Sequence, residues 1–137
     1  MAAAKSSLYV SRLLPHPVMA VIRERFTLVN EPLDAPSSPS ALRSGLSGAA
    51  AAIVTLNDRI DADLLAAAAK LKIVANYAVG YNNIDVNAAR QRNIVITNTP
   101  DVLTDATADL TWALMLSTAR RVTEGDRLVR KGEWTGW

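Results

Sequence analysis

The sequence predicts an α/β protein with a doubly wound parallel sheet of about five strands, followed by a long connecting helix. Two observations support this prediction. Short apolar runs rich in Val and Ile alternate with amphipathic runs from residue 8 to residue 98. A helical run between consecutive strands implies a right-handed crossover, which makes the strands parallel and places helices on both faces of the sheet.

Residues at the ends of the predicted helices support this reading. Pro17 suits the first turn of a helix, and Asp61 and Asp85 can accept hydrogen bonds from the free N–H groups at helix starts. Asn93 can adopt the left-handed conformation that ends a helix. Five strands of this kind favour the flavodoxin-like order 2-1-3-4-5. The predicted strands are 8–10, 26–29, 52–56, 73–77 and 94–98, and the predicted helices between them are 17–25, 40–46, 61–71 and 85–92.

Composition narrows the class of protein. Half of the 137 residues are hydrophobic and a fifth are charged, which is typical of a globular chain. The net charge of +2 comes from bases scattered among acids, so no basic stripe for nucleic acid or membrane is present. The absence of cysteine excludes disulfides and thiolate metal sites, and no H-E-x-x-H spacing for a metal is found. Residues 1–7 do not resemble a signal peptide and no apolar run reaches transmembrane length, so we expect a cytoplasmic protein.

The C-terminal part of the sequence predicts one long helix. Residues 104–131 contain no Pro and a single Gly, which indicates a helix of about 27 residues, or about 40 Å. Its first half, LTWALML at residues 110–116, is apolar on nearly all sides and is expected to be buried by more than one neighbour. Its second half is charged, with Glu124 and Arg127, and Asp126 and Arg130, at helical contact spacing. We therefore predict two parts, residues 1–100 and 101–137.

A candidate binding segment follows the fourth predicted strand. Residues 76–85 read NYAVGYNNID, and ligands of open α/β sheets bind at the carboxyl ends of strands. Gly80 can take backbone angles that turn successive N–H groups outward, which suits a carboxylate. Spacing alone favours a simpler interpretation, in which Gly80 only turns the chain. His16, the single histidine, lies between two prolines and is interpreted as a surface or helix-start residue.

Three successive segments resemble the D-2-hydroxyacid dehydrogenase family. They are AVGYNNID at 78–85, RNIVITNTP at 92–100 and DVLTDATAD at 101–109. The third segment, and GEW at 132–134, are most similar to glyoxylate/hydroxypyruvate reductases. The resemblance is strong from residue 71 to residue 137 and only architectural before that. It implies an oxidoreductase that reduces glyoxylate or hydroxypyruvate with NAD(P)H.

The resemblance also implies roles for individual residues. The backbone N–H groups of Val79 and Gly80 would bind the substrate carboxylate. The turn at residues 56–58, beginning with Leu56, would form another wall of the substrate pocket. Thr107 would face the nicotinamide end of the cofactor, NAD or NADP, although plain helix packing explains this residue equally well.

Other parts of the family pattern are missing from this chain. Its six glycines do not form the G-x-G-x-x-G fingerprint, and the family's catalytic Arg, Glu and His come later in its sequences. We therefore expect an N-terminal substrate-binding part, inactive alone, with no catalytic residue and no NAD(P)-binding domain. The long helix helps to form the dimer in whole family enzymes, so we expect self-association through Trp112, Leu116 or Trp134.

The sequence leaves two alternatives open. A free-standing flavodoxin-like module that binds a small anion or a protein would explain the missing fingerprint without truncation. The second alternative is another enzyme of the same family, such as a phosphoglycerate or formate dehydrogenase. Residues 101–109 favour the glyoxylate branch over that second alternative, and the lack of any closing element after the long helix favours a following domain over the first.

Overall fold

The computed structural model describes residues 4–137. The first three residues of segment 1–7, which does not resemble a signal peptide, lie outside the described residues. The chain divides into two compact units, one ending at Pro100 and the other running from Asp101 to Trp137. The first unit contains β1 Ser7–Val10, α1 His16–Arg25, β2 Thr27–Leu28, α2 Pro39–Gly48, β3 Ala51–Thr55, α3 Ala62–Ala67, β4 Ile73–Tyr77, α4 Val86–Gln91 and β5 Val95–Thr97. The second contains α5 Thr104–Ala119 and α6 Val122–Arg130.

The five strands form one parallel sheet in the order β2-β1-β3-β4-β5. This confirms the predicted flavodoxin-like topology. The longest register joins β3 to β4, from Ala51 opposite Ile73 to Thr55 opposite Tyr77. The chain leaves β1 on one side for β2 and crosses to the other side for β3, which creates the switch point where ligands of such sheets bind. The carboxyl ends of β1, β3 and β4 therefore lie side by side.

Helices cover both faces of the sheet, as predicted. Met19 and Ile22 of α1 pack on Leu8 and Val10 of β1, which are buried on one face. The larger cluster lies on the opposite face, where α2, α3 and α4 pack on the inward side chains of β3 and β4. Its most buried members include Leu46, Val54, Leu65, Val74 and Ala89. Burying these side chains supplies most of the free energy that holds the layers together.

The predicted helix ends are confirmed in detail. The Asp61 Oδ1 atom accepts a hydrogen bond from Leu64 N at 3.0 Å, and Asp85 Oδ1 accepts one from Ala88 N at 2.8 Å. Asn93 follows α4 with a φ of 55°. The two aspartate side chains accept from backbone N–H groups that the first helical turn leaves unpaired.

Helix α3 is shorter than predicted and ends at Ala67 instead of continuing to residue 71. The neighbouring strands explain the early end. Lys72 N donates to Ala50 O at 2.9 Å, and Lys72 O accepts from Val95 N at 2.9 Å. The backbone must already be extended at Lys72 to make both bonds, so residues 68–71 are needed for the turn into β4.

The prediction of one long helix is wrong. The chain breaks between α5 and α6 at Arg121, a non-glycine residue with a left-handed φ of 54°. Arg121 pairs with Glu124 at 2.6 Å, replacing the predicted pair of Glu124 with Arg127. This hydrogen-bonded pairing lowers the pKa of Glu124 and raises that of Arg121. The predicted pair of Asp126 and Arg130 is confirmed at 2.9 Å.

Helix α5 has no buried residue, so the expectation that its apolar half lies in a core is wrong for this chain. Its large apolar side chains are 57–63% exposed. The second unit contains two helices and no sheet layer, which explains why an all-round apolar helix is left uncovered. Among residues 4–137, no helix has the length and apolar character needed to cross a membrane. The exposed side chains are Leu110, Trp112, Leu114, Met115 and Leu116.

Candidate functional site

The turn between β4 and α4 exposes backbone donors while its carbonyl groups are occupied. Thr99 N donates to Ala78 O at 2.9 Å, and Asn98 Nδ2 donates to Val79 O at 2.7 Å. Asn76 Nδ2 donates to Gly80 O at 2.8 Å. Across residues 4–137, the N–H groups of Val79 and Gly80 donate to no protein acceptor. Free donors beside occupied acceptors make this turn suited to an anion.

Gly80 does not have a positive φ. Positive φ among the described glycines is confined to Gly132 and Gly136, so Gly80 does not use the left-handed region that favours glycine. A Cβ added to Gly80 would meet only Asn82 Oδ1, at 3.3 Å. The space around Gly80 would therefore admit a Cβ after a small shift of the Asn82 side chain.

The turn after β3 lines a cavity. Leu56 is 66% exposed and lines a cavity of about 460 Å³ together with Arg59, Asn82 and Asn83. Val79 and Gly80 do not line this cavity. The structure therefore brings Leu56 together with the later part of the β4–α4 connection, while the free N–H groups lie outside the cavity that Leu56 borders.

A buried carboxylate joins the carboxyl ends of β1 and β3. Asp58 is 4% exposed, and its Oδ2 atom accepts three hydrogen bonds: from Ser11 Oγ at 2.6 Å, Thr55 N at 2.7 Å and Thr55 Oγ1 at 3.0 Å. Ser11 is also buried. These bonds satisfy the carboxylate and hold the β3–α3 turn in one shape.

Two carboxamides connect that turn to the β4–α4 turn. Asn76 Nδ2 donates to Gly80 O at 2.8 Å and to Asn83 Oδ1 at 3.1 Å. Asn83 Nδ2 lies 3.2 Å from Thr55 O and 3.0 Å from Asp58 O. The backbones are joined as well, because Ile60 pairs with Ile84 in an isolated parallel bridge. The two turns thus form one hydrogen-bonded unit at the switch point of the sheet.

The sequence pattern placed Asp58 and Asn76 within the candidate segments 56–58 and 76–85, but it assigned them no role and did not indicate Ser11. Ser11, Asp58 and Asn76 are the buried polar side chains among the described residues, and all three lie at the carboxyl ends of strands. A polar residue at the end of an apolar strand, where a core residue is expected, is the signal that could have found them.

Thr107 and His16 lie apart from these turns in the chain. Thr107 is exposed in the first turn of α5, and its hydroxyl has no partner in the part of the chain that the structure describes. His16 is the exposed first residue of α1, which confirms its interpretation as a surface residue at a helix start.

Comparison with known proteins identifies the family. The sequence model of the D-isomer specific 2-hydroxyacid dehydrogenase family, catalytic domain, matches residues 8–125. The chain belongs to this family. The predicted resemblance is therefore confirmed.

Relatives within the family include several glyoxylate reductases. The glyoxylate reductase of Thermococcus kodakarensis is 43% identical over 130 residues, covering 95% of this chain and 39% of that protein. The glyoxylate reductase of Pyrococcus horikoshii is 62% identical over 84 residues, covering 61% of this chain and 25% of that protein. The crystal structure of the TT0316 protein from Thermus thermophilus superimposes with a TM-score of 0.84 and 42% identity, covering 96% of this chain and 42% of that one. This chain spans about two fifths of the length of the first and third of these proteins.

Proposed function

We propose that this chain is the substrate-binding part of an oxidoreductase that reduces a short 2-oxoacid, glyoxylate or hydroxypyruvate, to the 2-hydroxyacid with NAD(P)H. The observation that carries the proposal is the β4–α4 turn, whose carbonyls are occupied while the N–H groups of Val79 and Gly80 are free. Similarity to glyoxylate reductases along most of the chain supports the choice of substrate. Such an enzyme is expected in the cytoplasm.

In this proposal the chain binds and orients the substrate. The substrate carboxylate accepts hydrogen bonds from Val79 N and Gly80 N, and exposed Leu56 forms an apolar wall. NAD or NADP, when bound, supplies the hydride for the carbonyl carbon. We assign residues 1–100 to the substrate domain and 101–137 to a segment that leads towards the cofactor domain. The unpartnered Thr107 hydroxyl fits a role as a contact to the cofactor.

A titration of the 137-residue chain with glyoxylate tests this function. In ¹H–¹⁵N spectra, the amide resonances of Val79 and Gly80 are expected to shift most and to saturate, because their N–H groups are the free donors. Sodium chloride at matched ionic strength serves as the control and should leave these resonances in place.

The same chain is expected not to oxidise NADH in the presence of glyoxylate, because it lacks the phosphate-binding fingerprint. Shifts spread over the surface without a maximum at these residues, or measurable turnover, would contradict the proposal.

We further propose that the exposed side of α5 pairs with a second copy of the chain. Full burial of one Leu or Met side chain is worth about 1.5–3 kcal/mol, so covering several of them favours association strongly. A two-fold contact that includes Trp112, Leu116 or Trp134 is expected, with sedimentation velocity showing a dimer across a wide concentration range. The Trp112→Ser and Leu116→Ser variants should shift the species to a monomer, whereas Val129→Ser on the neighbouring helix should not. A wild-type chain that sediments as a monomer at every concentration would disprove this.

A further inference from the structure

We propose that the anion-binding turn carries a third donor, the N–H group of Tyr81, and that Asn76 is the positioning residue that orients it. The proposal rests on the proposed function of the same turn and adds a donor and a side chain to it. Like the groups of Val79 and Gly80, Tyr81 N donates to no protein acceptor within residues 4–137.

Peptide planarity links each free donor in this turn to a held carbonyl. In a trans peptide the C=O of one residue and the N–H of the next lie in one plane and point in opposite directions. Val79 N therefore points away from Thr99, which holds Ala78 O, and Gly80 N points away from Asn98, which holds Val79 O. By the same geometry the Tyr81 N–H points away from Asn76, which holds Gly80 O at 2.8 Å.

The burial of Asn76 indicates that this contact is built into the fold. Asn76 is 2% exposed and lies on the core side of β4, two residues after the fully buried Val74. A carboxamide in such a place is costly unless its polar atoms are paired. Both N–H bonds of Asn76 are used, one on Gly80 O and the other on Asn83 Oδ1.

Asn83 fixes the direction of the Asn76 side chain. Its Oδ1 atom accepts from Asn76, and its Nδ2 atom donates towards the carbonyl groups of Thr55 and Asp58 at 3.2 and 3.0 Å. The backbone carbonyl of Asn83 accepts from Ile60 N at 2.8 Å. The rotamer of Asn76 is therefore set from the β3–α3 turn. The peptide between Gly80 and Tyr81 is in turn set by Asn76, so the orientation of the third donor depends on a side chain that does not itself face the ligand.

The experiment is a glyoxylate titration of the wild-type chain and three variants, followed at the amides of Val79, Gly80 and Tyr81. Asn76→Asp cannot donate to Gly80 O, and Asn76→Ser is a neutral second variant in case a buried charge prevents folding. Asn87→Asp, on the exposed surface of α4, makes the same change of charge away from the turn. Residual dipolar couplings of the three amides, measured without ligand, report the orientation of each N–H directly.

In the wild-type chain all three amides are expected to shift. In the Asn76 variants the Tyr81 response should be lost, its dipolar coupling should change and affinity should fall about tenfold. The Val79 and Gly80 amides should still respond, because Thr99 and Asn98 hold their peptides; a purely structural defect would affect all three alike. Asn87→Asp should behave as wild type.

The remaining outcomes separate this inference from the proposed function. Wild-type shifts at Val79 and Gly80 without one at Tyr81 overturn the third donor and leave the proposed function standing. An unchanged Tyr81 response and coupling in both Asn76 variants overturns the positioning role. No shift at any of the three amides in the wild-type chain overturns the proposed function itself, and the third donor with it.

Discussion

Replacing Gly45 by alanine is expected to lower the free energy of unfolding of the sheet unit by about 3 kcal/mol. Gly45 lies in α2, where the helix crosses the ring of Tyr9 on β1. A Cβ at this position would overlap the Cδ2 and Cε2 atoms of the ring and lie 2.9 Å from Cγ. The ring has little room to move, because Tyr9 is 2% exposed and its hydroxyl is hydrogen-bonded to Ser37 Oγ at 2.8 Å. Burial also raises the pKa of this hydroxyl above its ordinary value.

Urea denaturation followed by far-UV circular dichroism measures this effect. Gly48→Ala is the matched control, because a Cβ on Gly48 meets nothing within 4 Å in the same helix. That variant should unfold within about 0.5 kcal/mol of wild type or be slightly more stable. In a Tyr9→Leu background the cost of Gly45→Ala should largely disappear. Equal effects of the two glycine substitutions would show that the clash with Tyr9 is not the cause.

Removing the Asp58 carboxylate by Asp58→Ala is expected to cost about 3 kcal/mol of unfolding free energy. The substitution leaves Ser11 Oγ and Thr55 N without their acceptor at a site that is 4% exposed in the native protein. It also releases the β3–α3 turn that carries Leu56. We therefore expect weaker glyoxylate binding in addition to lower stability. The amide titration with glyoxylate measures this binding without urea, at a temperature at which the variant is fully folded.

A double-mutant cycle identifies the source of that loss. Ser11→Ala alone leaves Asp58 with two of its three bonds, so it should cost less than Asp58→Ala, and the double variant should cost less than the sum of the two. Asp63→Ala, an exposed carboxylate in the first turn of α3, controls for loss of charge and should cost less than about 1 kcal/mol. Additive effects of Ser11→Ala and Asp58→Ala would rule out the hydrogen bond between them as a stabilising interaction.

Neither the break at Arg121 nor the exposure of α5 could be predicted from the C-terminal sequence. Residues 104–131 contain no Pro, and their single Gly, Gly125, does not lie at the break, so local propensity favoured one continuous helix. A left-handed residue at Arg121 costs about 1–2 kcal/mol by itself and is found only when its surroundings determine it. Whether an apolar helix is buried depends on which other elements are present to cover it, and no local pattern contains that information.

The sequence by itself determined the strand and helix alternation, the strand order, the aspartate caps at Asp61 and Asp85, and the family. These follow from residue periodicity, from contacts within one helical turn and from motifs contiguous in the chain. Tertiary structure alone decided the clash partner of Gly45, the ordinary φ of Gly80 and the network through Asp58, Asn76 and Asn83. The hydrogen bonds of this network join residues up to 47 positions apart at the edge of the sheet. Such contacts exist only once parallel pairing has brought the ends of β1, β3 and β4 together.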